Sequence, residues 1–478
     1  MARKLVINPV TRIEGHAKIT IHLDDNGNVS GTNFHVTQVR GFEKFTEGRP
    51  YYEMPSITAR ICGICPVSHL LASVKACDAV MAVRIPETAV MLRELMHFGQ
   101  IVQSHALSFF HLSAPDILLG MDSDPAHRNI IGLLEEFPEL AKDGIALRKF
   151  GQQVIERLAG ERIHPSWIVP GGVNSPLAPD MRDKILSELP IAKAIARRTL
   201  KHFKSIVEEF PEEIEHFGNY PSMYAGLVDA GGRLQLYDGI LRFRDAEGNL
   251  VTDVERPRDY LKYIGEAALP TSYLKAPYYR PGGYPQGLYR VGPLARLNVA
   301  DRCGTPEADA ELEGYRHRFG RVVQSTFLFH YARLIETLYA LERMETLLKD
   351  EAILDTHIRA TAGVNALEGV GIAEAPRGVL IHHYKVEEKG AIRWANLIIA
   401  TGHNNLAINK SIEAASRHFV DGNRLKEGML NRVAAVLRAY DPCLSCSTHA
   451  QGIVPVRIEL VGPDGAILDT LQSADAGD

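Results

Sequence analysis

Arg60-Ile61-Cys62-Gly63-Ile64-Cys65-Pro66-Val67-Ser68-His69 and Asp441-Pro442-Cys443-Leu444-Ser445-Cys446-Ser447-Thr448-His449 lie almost at opposite ends of the chain, and the rest is organised around them. The sequence has 6 cysteines in 478 residues, and four of them sit in these two Cys-x-x-Cys pairs, each trailed by a histidine. Two thiolate pairs make a donor set for one soft or borderline metal, because sulfur favours nickel, iron, copper or zinc over hard cations. Two plainer readings compete. Four cysteines commonly hold structural zinc, but ribbon-type zinc sites use short loops, and 377 residues lie between Cys65 and Cys443. A site joining both ends of so long a chain needs the whole fold assembled around it, which suits a buried catalytic centre. A thioredoxin-like redox site needs only one Cys-x-x-Cys, so the second pair speaks against it. Arg60, His69, Asp441 and His449 place polar groups beside the sulfurs, where metal properties are tuned. Cys77 and Cys303 lack such neighbours and read as buried small hydrophobes; His97, His105 and His111 read as core histidines.

The first pair follows a strand pattern in 17–40, where Ile19, Ile21 and Leu23 alternate with polar residues before a turn at Asp25-Asn26-Gly27-Asn28. Long helical patterns come next, over roughly 87–112, 138–158 and 181–216, with Pro190 expected to kink or break the third. Residues 234–253 read as a hairpin, and 270–296, rich in Tyr, Pro and Gly, as irregular. The clearest helix spans about 321–350, with Phe327, Tyr331, Leu334, Leu338, Leu341 and Leu348 as its apolar stripe. Strands at 378–386 and 392–400 and helices at 405–418 and 425–439 complete the pattern. The expected class is α+β, mainly α: a central long-helix bundle flanked by mixed α/β regions at both ends. Its expected divisions are a strand-rich region 1–86, a helical core 87–350, an α/β region 351–449 and a C-terminal extension 450–478. A hydrophobic content of 45% and charged content of 23% are those of an ordinary globular protein. The net charge of −5 gives no sign of a nucleic-acid partner, and no run of about 18 apolar residues suggests a membrane span. With no apolar signal core at the N-terminus, the expected compartment is the cytoplasm.

Taken together, the two cysteine motifs resemble those of the large subunit of nickel–iron hydrogenases. Pro9-Val10-Thr11-Arg12-Ile13-Glu14-Gly15-His16, Arg40-Gly41-Phe42-Glu43 and Ala375-Pro376-Arg377-Gly378 extend the resemblance over essentially the whole chain. Gln103-Ser104-His105-Ala106-Leu107-Ser108-Phe109-Phe110-His111-Leu112 looks most like the soluble, bidirectional NAD(P)-reducing class. The resemblance implies nickel held by Cys62, Cys65, Cys443 and Cys446. Cys62 and Cys443 are then terminal ligands, while Cys65 and Cys446 bridge to an iron carrying cyanide and carbon monoxide. It places Arg377 over the open metal position, Thr401 on a cyanide, Asp441 beside Arg377, and Glu14 as the carboxylate relaying protons. Glu43, the carbonyl of Leu380 and His449 match the ligands of a magnesium. One departure stands out: Ser104 occupies a position where many membrane-bound and periplasmic relatives carry Asp, leaving Asp441 alone beside Arg377.

The chemistry fits these residue types. Splitting dihydrogen heterolytically needs a Lewis-acidic metal position and a base, for which a terminal thiolate or Arg377 is the candidate, with Glu14 for the onward proton step. The competing reading of Glu14 is a structural carboxylate paired with Arg12. The two scattered cysteines cannot hold an iron–sulfur cluster, and no Gly-x-Gly-x-x-Gly follows a strand for NAD. A separate iron–sulfur small subunit is therefore expected, and the resemblance adds diaphorase subunits with FMN and iron–sulfur clusters beyond it. It also implies nickel-insertion factors and a maturation endopeptidase that removes the chain after His449. Two alternatives stay open: a cytoplasmic hydrogenase with a different electron acceptor, and a non-catalytic structural homologue like the quinone-site subunit of complex I.

Overall fold

A computed structural model describes residues 3–448 and, beyond them, the backbone of two strands, Arg457–Val461 and Ile467–Gln472. Four long helices form the centre: Glu87–Ala106, Pro138–Ala159, Pro179–Ile206 and Phe329–Lys349. The last is the axis, packing on the first and third. Only Arg343, Glu345, Thr346 and Lys349 on it rise out of burial, so its polar residues His330, Arg333, Glu336 and Glu342 lie inside the core. The stripe expected from the sequence is thus one face of a helix surrounded on all sides.

Pro190 does not break its helix, which runs unbroken from Pro179 to Ile206. The proline is exposed, while Ile185, Leu189, Ala192, Ile195, Ala196 and Phe203 keep one buried face continuous across it. A missing solvent-side hydrogen bond is tolerated where packing holds the other side. The first long helix changes character at its end, where Leu107–Ser113 forms a π-helical turn before the helix Ala114–Leu118.

Sheets flank the bundle. The N-terminal one pairs Arg3–Ile7, Ala17–Leu23 and Val29–Val36 antiparallel. The expected irregular stretch 270–296 instead contains a strand, Ser272–Tyr279, paired with Ile264–Leu269, and a helix, Pro293–Val299. Its alternating burial compensates for weak strand propensity. The expected hairpin is narrower than 234–253: Ile240–Arg244 pairs with Leu250–Val254 and belongs to a four-stranded sheet.

The C-terminal sheet is antiparallel, in the order Glu368–Ala375, Gly378–Val386, Ile392–Ile398. Its first strand was not expected from the sequence, and its glycines explain both the omission and its use. A Cβ on Gly369 would lie 2.1 Å from the carbonyl oxygen of Ala76, and one on Gly371 2.0 Å from that of Ala72. Without them the helix Pro66–Met81 packs directly onto the strand. That helix carries Cys65 at its N-terminus and the strand leads into Arg377, so their close approach brings the two together. The two strands beyond 448 pair with each other antiparallel; Val454 and Val456, expected to open this hairpin, lie outside the described residues.

Candidate metal centre

Each cysteine pair sits where a helix meets irregular backbone. Pro66 starts the helix Pro66–Met81 directly after Cys65, and a helix N-terminus favours a nearby thiolate. The backbone N–H groups of Ile64 and Cys65 both donate to Cys62 Sγ at 3.2 Å. At the other end Asp441 caps the helix Glu427–Tyr440 with left-handed backbone, φ 54° and ψ 56°. A non-glycine residue there costs on the order of 1–3 kcal/mol. The bend it makes turns the chain back, so that Leu444 N–H donates to the carbonyl of Glu14 at 3.2 Å.

The four sulfurs converge. Cys62 Sγ lies 3.4 Å from Cys443 Sγ, Cys65 Sγ 3.7 Å from Cys446 Sγ, and Cys443 Sγ 2.6 Å from Cys446 Sγ. All four are buried, with their sulfurs within 4.8 Å of one another. Sulfurs bonded at about 2.3 Å to a shared ion sit about 3–4 Å apart. The Cys62–Cys443 and Cys65–Cys446 separations match this, while Cys443 and Cys446 would move apart from 2.6 Å to hold one. Four buried thiols are the right donor chemistry for a thiolate-bound metal. Electrostatics agree. Mutual hydrogen bonds from Cys443, Cys446 and Cys62 pull the Cys65 thiol well below its ordinary value. Burial pushes Cys443 and Cys446 well above theirs. A cation reverses that penalty and deprotonates coordinating thiols.

Arg377 is buried within electrostatic reach of Cys443, Cys65 and Cys62. Its Nε donates to the carbonyl of Asp441 at 2.6 Å, Nη2 to Asp441 Oδ1 at 3.0 Å and Nη1 to Ser104 Oγ at 3.4 Å. Burial works against its charge, but Asp441 and the thiolates of Cys443, Cys65 and Cys62 outweigh it and push its pKa well up. Burial raises the carboxyl of Asp441, and Arg377 and Arg333 oppose the rise. Asp441 Oδ2 is buried with no hydrogen-bond partner among the described residues. Thr401 Oγ1 accepts from Cys443 N–H at 2.9 Å, leaving its own hydroxyl hydrogen for another acceptor.

Glu14 is half-buried, and its carboxylate accepts from Ser445 N–H at 3.1 Å and from the Ser445 hydroxyl. The structural pairing with Arg12 is not found. The Arg12 guanidinium turns instead to Asp116 and the carbonyl of Leu112. This leaves Glu14 attached to the short helix Leu444–Ser447, which begins directly after Cys443 and carries Cys446.

Glu43 is 1% exposed, and its Oε1 accepts from Leu397 N–H at 2.9 Å. It lines a pocket of about 10 Å³ with Glu266, Lys275, Leu397 and Ser447, room for one water-sized body. Lys275 Nζ stands 3.9 Å from Glu43 and 3.5 Å from Glu266. The expected carbonyl ligand Leu380 does not line this pocket. Leu380 pairs with Ala373 in the middle of the C-terminal sheet. Glu374 N–H points away, to the carbonyl of Leu236 at 2.8 Å, so by strand alternation Ala373 and Leu380 face each other and the ladder takes the Leu380 carbonyl. Leu397 is on the sheet's edge strand with its N–H toward Glu43. In a strand the carbonyl of a residue shares the side of its N–H, so Leu397 presents the carbonyl there. A backbone carbonyl leaves no side-chain signature in the sequence, so nothing there points to Leu397. His449 lies outside the described residues; Thr448, just before it, is tied by its carbonyl to Arg40 N–H at 2.7 Å.

Four enclosed sulfurs from the two ends of the chain, beside one guanidinium fixed by a carboxylate, define the centre of a thiolate metalloenzyme. The chain belongs to the nickel-dependent hydrogenase family, an oxidoreductase family whose model matches residues 40–127 and 242–449; residues 4–39 match a model described as HoxL-like. It is 45% identical over 414 residues to a chain of the F420-non-reducing hydrogenase vhu of Methanocaldococcus jannaschii, covering 87% of this chain and 99% of that protein. It is 40% identical to the beta chain of the NAD-reducing hydrogenase HoxS of Cupriavidus necator, covering 98% and 99%. An NAD+-reducing [NiFe]-hydrogenase solved in the H2-reduced state superposes with a TM-score of 0.91 at 44% identity, covering 94% of this chain and 99% of that one. The Ni-Fe-Se hydrogenase of Desulfovibrio vulgaris Hildenborough, 24% identical with a TM-score of 0.75, shares the fold. No helix of the described residues is long and apolar enough to cross a membrane.

Proposed function

We propose that this chain is the catalytic large subunit of a reversible hydrogenase, cleaving dihydrogen to protons and electrons. The observation that carries the reading is the enclosed four-sulfur cluster beside Arg377. Cys62, Cys65, Cys443 and Cys446 would together hold nickel and an iron carrying cyanide and carbon monoxide. The bound metals supply the Lewis acid that polarises dihydrogen.

This chain's residues do the rest. Arg377, held as a cation by Asp441, keeps a planar donor fork beside the sulfurs. The base is then a cysteine thiolate, not the guanidinium. Glu14, hydrogen-bonded to the Ser445 backbone between the second pair, stands next in line for the proton. Thr401 fixes Cys443 through its backbone and can turn its hydroxyl to a diatomic ligand. A magnesium held by Glu43, the Leu397 carbonyl and His449 would tie the second motif to the sheet; Lys275 at its rim already partly neutralises Glu43.

Electrons leave through an iron–sulfur small subunit. For the final acceptor, likeness to NAD-reducing proteins supports NAD(P), reached through diaphorase subunits with FMN and iron–sulfur clusters in the cytoplasm. The methanogen relative named as F420-non-reducing supports a second reading, with a different acceptor. Nickel-insertion factors and a maturation endopeptidase cutting after His449 complete the proposal. The mature enzyme should contain about one nickel and one iron per chain and show infrared bands of diatomic ligands, and Cys443→Ala should abolish nickel retention. Stoichiometric zinc with no such bands would sink the reading.

A further inference from the structure

Directly before Arg377 the strand Glu368–Ala375 ends and the chain turns at Pro376, a stretch buried in the protein and outside the bonds that Arg377 makes to Asp441. Its polar groups need partners, and one side chain meets three of them, the Glu374 carboxylate and the carbonyls of Ala375 and Pro376. Arg296, on the helix Pro293–Val299, is 0% exposed. Its Nη1 donates to the carbonyl of Ala375 at 2.9 Å and to Glu374 Oε2 at 2.8 Å. Its Nη2 donates to the carbonyl of Pro376 at 3.1 Å and to Glu336 Oε2 at 2.6 Å, and Nε donates to Glu336 Oε1 at 2.6 Å. A guanidinium has five N–H donors in a rigid plane, and here all five are used.

The anchor behind it is equally fixed. Glu336, on the axial helix, takes Arg296 in a bidentate grip and also accepts from His105 Nε2 at 3.0 Å. His105 is the neighbour of Ser104, which touches Arg377 from the other side. Backbone contact closes the arrangement. The start of the Arg296 helix presses on the same turn, where a Cβ on Gly292 (φ 94°) would lie 2.8 Å from the carbonyl oxygen of Arg377. Gly378 (φ 136°) likewise leaves no room, its Cβ falling 2.3 Å from Val291.

We propose that Arg296, braced by Glu336, is a positioning residue that sets where the Arg377 guanidinium stands beside the four sulfurs; the proposal rests on the hydrogenase reading of that site. Such a buried ionic group is no better for stability than apolar packing of the same volume. What it adds is direction: it fixes two consecutive carbonyls immediately before Arg377. Lysine in its place keeps the cation but is a point charge with three donors. It cannot grip Glu336 in two places and hold both carbonyls.

The test is a double-mutant cycle in the assembled enzyme with Arg296→Lys and Arg377→Lys. Arg296→Lys should retain nickel and iron yet lose about tenfold to hundredfold in turnover, the scale of a misplaced catalytic group. If it acts through Arg377, the double variant should be no slower than Arg377→Lys alone. Independently of turnover, amide hydrogen exchange at Arg377 and Gly378 in the metal-free chain should speed up in Arg296→Lys and not in Arg377→Lys. Multiplying losses, or unchanged exchange at these amides, would overturn the proposal. Should Arg296→Lys fail to take up metal, Glu336→Gln replaces it in the same cycle, with the same outcomes deciding. Full turnover in Arg377→Lys would instead remove Arg377 from the mechanism, which the exchange measurement does not depend on.

Discussion

At the scale of single residues, Arg377 shows how unequal two neighbouring contacts can be. Asp441 meets it twice, through a carbonyl at 2.6 Å and a carboxylate at 3.0 Å, whereas Ser104 Oγ is 3.4 Å away. Charge-assisted bonds are roughly twice as strong as neutral ones, and the serine contact is long for any hydrogen bond. Ser104→Ala is therefore expected to leave turnover within about threefold, and Asp441→Asn to cost tenfold or more with nickel retained. Equal effects on turnover would show that the carboxylate is not what fixes Arg377. The convergence of the cysteines was legible in the sequence because their spacing is itself the motif, whereas the roles of Arg377, Thr401, Asp441 and Glu14 came into view only through the resemblance to a known family. The Leu397 carbonyl beside Glu43 was not legible, since a backbone group has no signature in the sequence. Nor were Arg296 and Glu336, which stand 40 residues apart on different helices and meet only in the folded core.

At the scale of elements, the helix Pro66–Met81 depends on two missing side chains in the strand beneath it. Gly371→Ala puts a methyl group 2.0 Å from the Ala72 carbonyl oxygen, so helix or strand must shift. Overpacking of this kind costs about 1–3 kcal/mol, and the shift would move Cys65 relative to Arg377. Nickel retention should fall along with thermal stability. Gly314→Ala makes a control, because that glycine lies in the helix Pro306–Phe319 with open space around it. There alanine should stabilise by about 0.5–1 kcal/mol and leave nickel content unchanged. A Gly371→Ala chain with full nickel and an unchanged melting temperature would refute the close-approach argument. The same two glycines hid the strand from a reading based on alternation and propensity. Conversely, Pro190 suggested a break that packing on the buried face of its helix overrides.

For the whole molecule, four histidines are enclosed without charge. Burial holds His97 and His105 down to about 4 and His330 and His403 to about 3. In the unfolded chain each returns to about 6.5, so unfolding takes up protons below that pH. Their stabilising effect is complete above pH 6.5 and is lost as pH falls, toward 4 for His97 and His105 and toward 3 for His330 and His403. The slope is up to about 1.4 kcal/mol per pH unit for each histidine. Glu374 runs the other way. Burial raises it to about 7 against the pull of Arg296, so its contribution declines as pH rises from about 4.5 to 7. Burial also raises Glu94 and Asp441, but the four histidines outnumber the three raised carboxyls. Glu336, which Arg296 holds down against burial, adds to the loss at low pH, so acid destabilisation dominates. The apparent melting temperature of the enzyme should drop between pH 6.5 and 5, and a flat profile there would contradict neutral buried imidazoles. The division of the chain into a helical centre and mixed flanks was legible from hydrophobic period alone. The joining of the flanks was not, because it depends on contacts between residues hundreds of positions apart.

That joining has a consequence in time. The first cysteine pair leaves the ribosome 377 residues ahead of the second. At about 5–20 residues per second, synthesis separates them by roughly 20 to 75 seconds. During that interval a nascent chain offers a metal only two of the four thiols that make up the cluster, an incomplete grip that lets a wrong ion go again. Loading must wait for translation to finish, so a truncated product ending anywhere before Cys443 carries its own guarantee of staying empty.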